Sequence, residues 1–110
     1  MITPTIGRVV WYWEGDRKET DQPRAAIVVY VWTDRMVNLA VFDSNGVLYN
    51  RTSVRLVQDE GERVADSVPY AEWMPFQIGQ AKRHDADTRI RANISDDIEK
   101  ARADLARGAA

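Results

Sequence analysis

The stretch Ala25–Asp43, AAIVVYVWTDRMVNLAVFD, constrains the fold more than any other part of this chain. Side chains of an extended strand point alternately to two faces. In Ala25–Trp32 one face would carry Ala25, Ile27, Val29 and Val31, and the other Ala26, Val28, Tyr30 and Trp32. Both sets are apolar, so the centre of the strand is expected to be covered on both sides. β-Branched and aromatic residues favour strand over helix. Thr33-Asp34-Arg35 then supplies turn-type residues. Met36–Asp43 alternates again, with Val37, Leu39 and Val41 on one face and Met36, Asn38, Ala40 and Phe42 on the other. With so short a connection the two strands pair as an antiparallel hairpin, since a parallel pair needs a long crossover.

The segments around this hairpin read as further strands. Ile6–Trp13 places Val9, Trp11 and Trp13 on one face and Arg8, Val10 and Tyr12 on the other. Glu14–Arg24, EGDRKETDQPR, is a charged run without apolar anchors and reads as a surface loop. Ser44-Asn45-Gly46 is a turn, because Asn-Gly accepts positive φ. Val47–Tyr49 resumes an extended pattern and Thr52–Val57 continues it after a polar break at Asn50-Arg51, with Val54 and Leu56 on one face. Gln58–Val68 is a second acidic loop, and Tyr70–Trp73 a short closing strand. Strands linked by turns over this length predict a small SH3-like or OB-like antiparallel β-barrel in residues 1–75, and the lack of a helix between the strands favours the SH3-like form.

Residues 76–110 read as a helical tail. Pro75 suits a first helical position, and Phe76–Arg83 is expected to form a short helix. Beyond it Ile90, Ile94, Ile98, Ala101 and Leu105 recur at helical spacing, with Asp85 or Asp87 as the expected cap and Gly108 as the stop. A stripe this narrow is marginal alone in water. It must cover its own barrel, a second copy of the chain or a partner's groove.

Composition removes several classes of chemistry. The chain has no cysteine, so disulfides, thiol nucleophiles and cysteine-held zinc are excluded. A formal net charge of −2 gives no global attraction to duplex nucleic acid. No run of apolar residues is long enough for a membrane span, and Met1–Arg8 lacks the pattern of an export signal. The single histidine, His84, stands beside Asp85 and Asp87 and reads as a solvated side chain rather than a metal ligand. Phosphate-loop and nucleophile-elbow motifs are missing from the sequence. Neither a cofactor nor catalysis is expected.

Five segments, PTIGRVV (Pro4–Val10), QPRAAIVVYVW (Gln22–Trp32), RMVNLAVFDSNGV (Arg35–Val47), TSVRLVQD (Thr52–Asp59) and YAEWMP (Tyr70–Pro75), together resemble a group of small proteins encoded by tailed phages and prophages. The resemblance implies a phage origin. With it comes a choice among virion component, host-takeover factor and counter-defence protein, the last two acting in the host cytoplasm. It carries no site residues.

Binding is therefore the expected activity. The chain holds more aromatic side chains near Trp11–Trp13 and Tyr30–Trp32 than one face of a small core accommodates. An aromatic–arginine surface built from Arg8, Tyr12, Tyr30, Trp32, Arg35, Arg51 and Arg55 is expected. Such a surface suits a protein hot spot or the stacking of a small nucleotide or single-stranded nucleic acid. The favoured expectation is contact with a host or phage protein, with Ile90–Leu105 as an interaction helix and assembly as a homo-oligomer.

Overall fold

The structure, a computed structural model, describes the backbone of residues 1–108 and their side chains except those of 89–93, 95–97 and 104–108. Five strands precede one helix: β1 (Val9–Trp13), β2 (Arg24–Thr33), β3 (Met36–Phe42), β4 (Leu48–Val57), β5 (Tyr70–Glu72) and α1 (Pro75–Gly108). The strands close into a barrel in chain order, β1 pairing with both β2 and β5. The chain is mainly β, a small SH3-like barrel followed by a C-terminal helix. Four seams are antiparallel as expected, but β4 and β5 run parallel. The acidic loop between them carries the chain back along the barrel before β5 begins, so β5 enters in the same direction as β4. Two compact units result, Met1–Pro75 and Phe76–Ala110.

Register decides which residues fill the barrel. Val10 lies opposite Ala26, which lies opposite Val41. Tyr12 lies opposite Ala71, and Leu56 opposite Ala71 on its other side. The buried set is Val10, Tyr12, Ala26, Val28, Val37, Leu39, Val41, Val54, Leu56, Ala71 and Trp73. Tyr12, opposite the small Ala71, is the largest of the fully buried side chains. A five-stranded interior is narrow, so the larger indoles of Trp11 and Trp13 stay on the outer face, half-buried. The expectation that Tyr12 joins a surface is thereby corrected: it is a fully buried core residue.

Two further corrections concern β2 and β4. Only one side of β2 is deeply buried; Val29, Tyr30 and Trp32 are exposed. Register shifts at Val28/Tyr30 and Val31/Thr33 interrupt the alternation, as β-bulges do. In β4 the polar residues Asn50-Arg51 do not break the strand. A shift against β3 at Val37/Leu39 absorbs them, with Ser53 left-handed at φ 52°. Asn38 serves both irregularities: its side-chain oxygen accepts the Trp32 indole N–H (3.0 Å) and the Ser53 backbone N–H (2.7 Å). Gly46, at φ 81°, closes the β3–β4 turn, where Asp43 Oδ1 accepts the backbone N–H groups of Asn45 and Val47.

The two helical segments expected in the tail are one helix. Pro75 opens it, but Asp85 and Asp87 are interior positions rather than caps. Nothing between Arg83 and Thr88 breaks a helix, and the Thr88 hydroxyl donates to the His84 carbonyl one turn back (2.9 Å). Ile94 and Ile98 are about half exposed and Ala101 is exposed, while the Ile90 and Leu105 side chains lie outside the described residues. Among the described residues no helix is long and apolar enough to cross a membrane.

Candidate functional site

One end of the barrel carries a charged cluster built by alternation. Residues two apart on a strand share a face, so Glu14 follows Tyr12, Arg24 precedes Ala26, and Tyr49 and Arg51 lie opposite the core residues Val41 and Leu39. All four therefore converge on the mouth where β1 ends and β2 and β4 begin. The Tyr49 hydroxyl donates to Glu14 Oε1 at 2.6 Å and accepts from Arg24 Nη1. The same carboxylate oxygen pairs with Arg51 at 3.3 Å and with Arg24 at 3.8 Å. Both guanidiniums also lie over the Tyr49 ring, Arg51 at 4.5 Å and Arg24 at 5.6 Å from its centroid.

Beneath this cluster the Tyr12 hydroxyl is buried and makes no hydrogen bond of normal geometry, with the Arg51 guanidinium as a close polar neighbour. Burial raises its pKa above the ordinary phenol value, the Glu14 carboxylate adds to the rise, and Arg51 opposes it. Tyr49 is raised in the same way, by burial first and then by its bond to Glu14, with Arg24 opposing. Both phenols thus stay protonated at physiological pH, and Tyr49 donates its proton to Glu14.

A cleft of about 530 Å³ adjoins the mouth, lined among others by Trp13, Glu14, Arg24, Phe42 and Ser44. Its loop wall is fixed by Arg17, whose guanidinium donates to the backbone carbonyls of Glu14, Val64, Ala65 and Val68 and lies 4.7 Å over the Tyr70 ring. Tyr70 in turn stacks on Trp13, whose indole N–H donates to Glu72. The charged run Glu14–Arg24 is thus tied to the second loop.

The residues expected to form one aromatic–arginine surface are dispersed. Arg51 belongs to the mouth. Arg35 and Arg55, toward the other end, are taken up by Asp59 and Glu62 at 2.8–3.3 Å. Arg8 lies over the Trp73 ring at 5.8 Å. Tyr30 and Trp32 pack edge to face at 4.8 Å on the outside of β2, where they are 49% and 55% exposed. Sequence reading missed Glu14, Arg24 and Tyr49. The available signal was their two-residue spacing from inward positions, which required knowing that Tyr12 faces inward.

Compared with protein-family models, curated proteins and solved structures, the chain matches none.

Proposed function

We propose that the chain is a non-catalytic accessory protein that works by protein–protein contact, in the phage or prophage setting of the resemblance described above, as a host-takeover or counter-defence factor. The observation carrying this reading is the Tyr30–Trp32 pair. A tryptophan more than half exposed keeps apolar area whose burial against a partner would be favourable. Here its orientation is also fixed in advance, by the hydrogen bond to Asn38 and the edge contact with Tyr30. Pre-ordered Trp and Tyr side chains lose little entropy on association and dominate protein hot spots. Val29 and Met36, both exposed, lie near the same strand–turn–strand segment and extend its apolar character.

The test is affinity capture with quantitative mass spectrometry from infected or lysogenic cells, comparing wild type, Trp32→Ala and Tyr30→Ala. Arg51→Ala, at the barrel mouth, serves as the control. A partner depleted by the aromatic variants and retained by the control is expected. Identical captures by all four proteins would overturn the reading.

A further inference from the structure

The barrel mouth carries a separate function from the aromatic pair. We propose that Arg24 and Arg51 form a phosphate-binding site which the Glu14 carboxylate occupies in the free protein, and that its ligand is a nucleoside monophosphate whose base enters the cleft beside Trp13.

The first argument is stoichiometry. Toward the other end of the barrel two guanidiniums, Arg35 and Arg55, meet two carboxylates, Asp59 and Glu62. At the mouth two guanidiniums form direct ion pairs with Glu14 alone, and all of its contacts fall on one oxygen. Asp43 adds a second negative charge toward Arg24, but at a distance and without an ion pair, its Oδ1 being held by the backbone of the β3–β4 turn. A guanidinium offers five donors in a planar fork suited to phosphate. Arg24 gives one to the Tyr49 hydroxyl and Arg51 one to the Asn50 carbonyl, beside their contacts with Glu14. A phosphomonoester, with close to two negative charges and three terminal oxygens, matches this pair better than a single carboxylate oxygen does.

The second argument is the Tyr12 hydroxyl, fully buried beneath the cluster beside Arg51 and without a hydrogen bond of normal geometry. Buried polar atoms are satisfied as a rule, so this hydroxyl calls for a partner, and a ligand held by Arg51 would bring one close to it. The third is the adjoining cleft. Its volume of about 530 Å³ lies within the range of small-molecule sites. Trp13 and Phe42 provide aromatic surface, while Glu14 and Arg24 belong to both cleft and cluster. Arg17, also on the wall, is engaged by backbone carbonyls and adds no free fork.

The sign of one substitution separates this reading from a purely structural ion network. Glu14 competes with the ligand, so Glu14→Gln should tighten binding, whereas loss of a supporting residue weakens it. Calorimetry on the full chain would use inorganic phosphate, adenosine monophosphate and adenosine as probes. Wild type is expected to bind the monophosphate, with inorganic phosphate as a weaker competitor and adenosine weaker than the monophosphate. The base contact is expected to contribute about tenfold or more over phosphate. Arg51→Met should weaken the monophosphate about 10- to 100-fold, and Glu14→Gln should strengthen it about tenfold. Arg51→Lys, which keeps the charge and loses the fork, should fall between wild type and Arg51→Met.

No saturable binding of either phosphate probe to wild type or Glu14→Gln would overturn the proposal. Weaker binding by Glu14→Gln would overturn the competitor role, and equal affinities for inorganic phosphate and the monophosphate would overturn the nucleotide assignment. Thermal melts of each variant in the absence of probe identify any that fail to fold. Should Glu14→Gln be among them, the Arg51→Lys and Arg51→Met comparison decides the phosphate site.

Discussion

At the scale of single residues, Tyr12 shows how a core position and a polar site share one side chain. Its ring is fully buried opposite Ala71, while its hydroxyl lies under the mouth cluster without a hydrogen bond of normal geometry. Ring and hydroxyl therefore make opposite contributions. Tyr12→Ala is expected to cost about 3–5 kcal/mol, as large-to-small core substitutions do. Tyr12→Phe keeps the ring and removes an unsatisfied buried donor, so stability should be unchanged or higher by about 1 kcal/mol. Urea denaturation of the two variants checks the pair; a large loss in Tyr12→Phe would show that the hydroxyl has a partner. Gly15 is constrained differently. A Cβ there would stand 2.7 Å from the Ser67 carbonyl oxygen, which belongs to the opposing loop backbone. Gly15→Ala should therefore push the two loops apart and cost about 1–3 kcal/mol, the range of overpacking. The Trp13 indole, stacked on Tyr70 at that junction, reports the displacement by its fluorescence.

At the scale of elements, alternation made most of the barrel legible and failed where the backbone leaves it. The inward residues of β3 and β4, Val37, Leu39, Val41, Val54 and Leu56, followed directly from period two. β2 did not, because bulges on either side of Val31 return side chains to faces that a regular strand would deny them. No local composition marks those bulges; they arise from pairing with β3. The mouth cluster was hidden for a related reason. Glu14 and Arg24 sit at the ends of a charged run that resembles any solvated loop, and only barrel closure turns them toward Tyr49 and Arg51. The helix was under-read instead, since Asp85 and Asp87 resembled caps although no breaker precedes them. Gly79 is the weak position of α1: a Cβ there meets nothing within 4 Å and its φ is not left-handed. Gly79→Ala should stabilise α1 by about 1 kcal/mol, read as increased helical circular dichroism and slower amide exchange through Phe76–Arg83. An unchanged or lower helical signal would mean that the added methyl meets a surface after all.

At the scale of the whole molecule, every buried hydrophobic of the barrel lies between Val10 and Trp73, within the first compact unit. A chain ending at Ala81 is therefore expected to keep a cooperative unfolding transition close to that of the full chain. Native mass of the two forms then reads whether α1 carries assembly: an oligomer that becomes a monomer on truncation assigns that role to the helix. The tyrosines set a second global property. Tyr12, Tyr49 and Tyr70 all titrate above the ordinary phenol value, and burial is the leading cause in each. For Tyr70 the Glu72 carboxylate adds to the rise and Arg17 opposes it. A phenol whose folded pKa is raised keeps its proton in the native state after the unfolded chain has lost it. By linkage the contribution to stability is complete below the unfolded pKa, about 10, and is lost as pH climbs from there through the folded values. Stability should thus be insensitive to these groups near neutrality and fall in alkali, with phenolate absorbance at 295 nm appearing together with unfolding for the buried tyrosines. Tyr12→Phe removes one of the three groups and should make the alkaline loss shallower. If instead the phenolate signal of all tyrosines rose near the ordinary phenol pKa while the fold persisted, the mouth would be open to water, and the bond that Tyr49 donates to Glu14 would be lost in alkali with the fold intact.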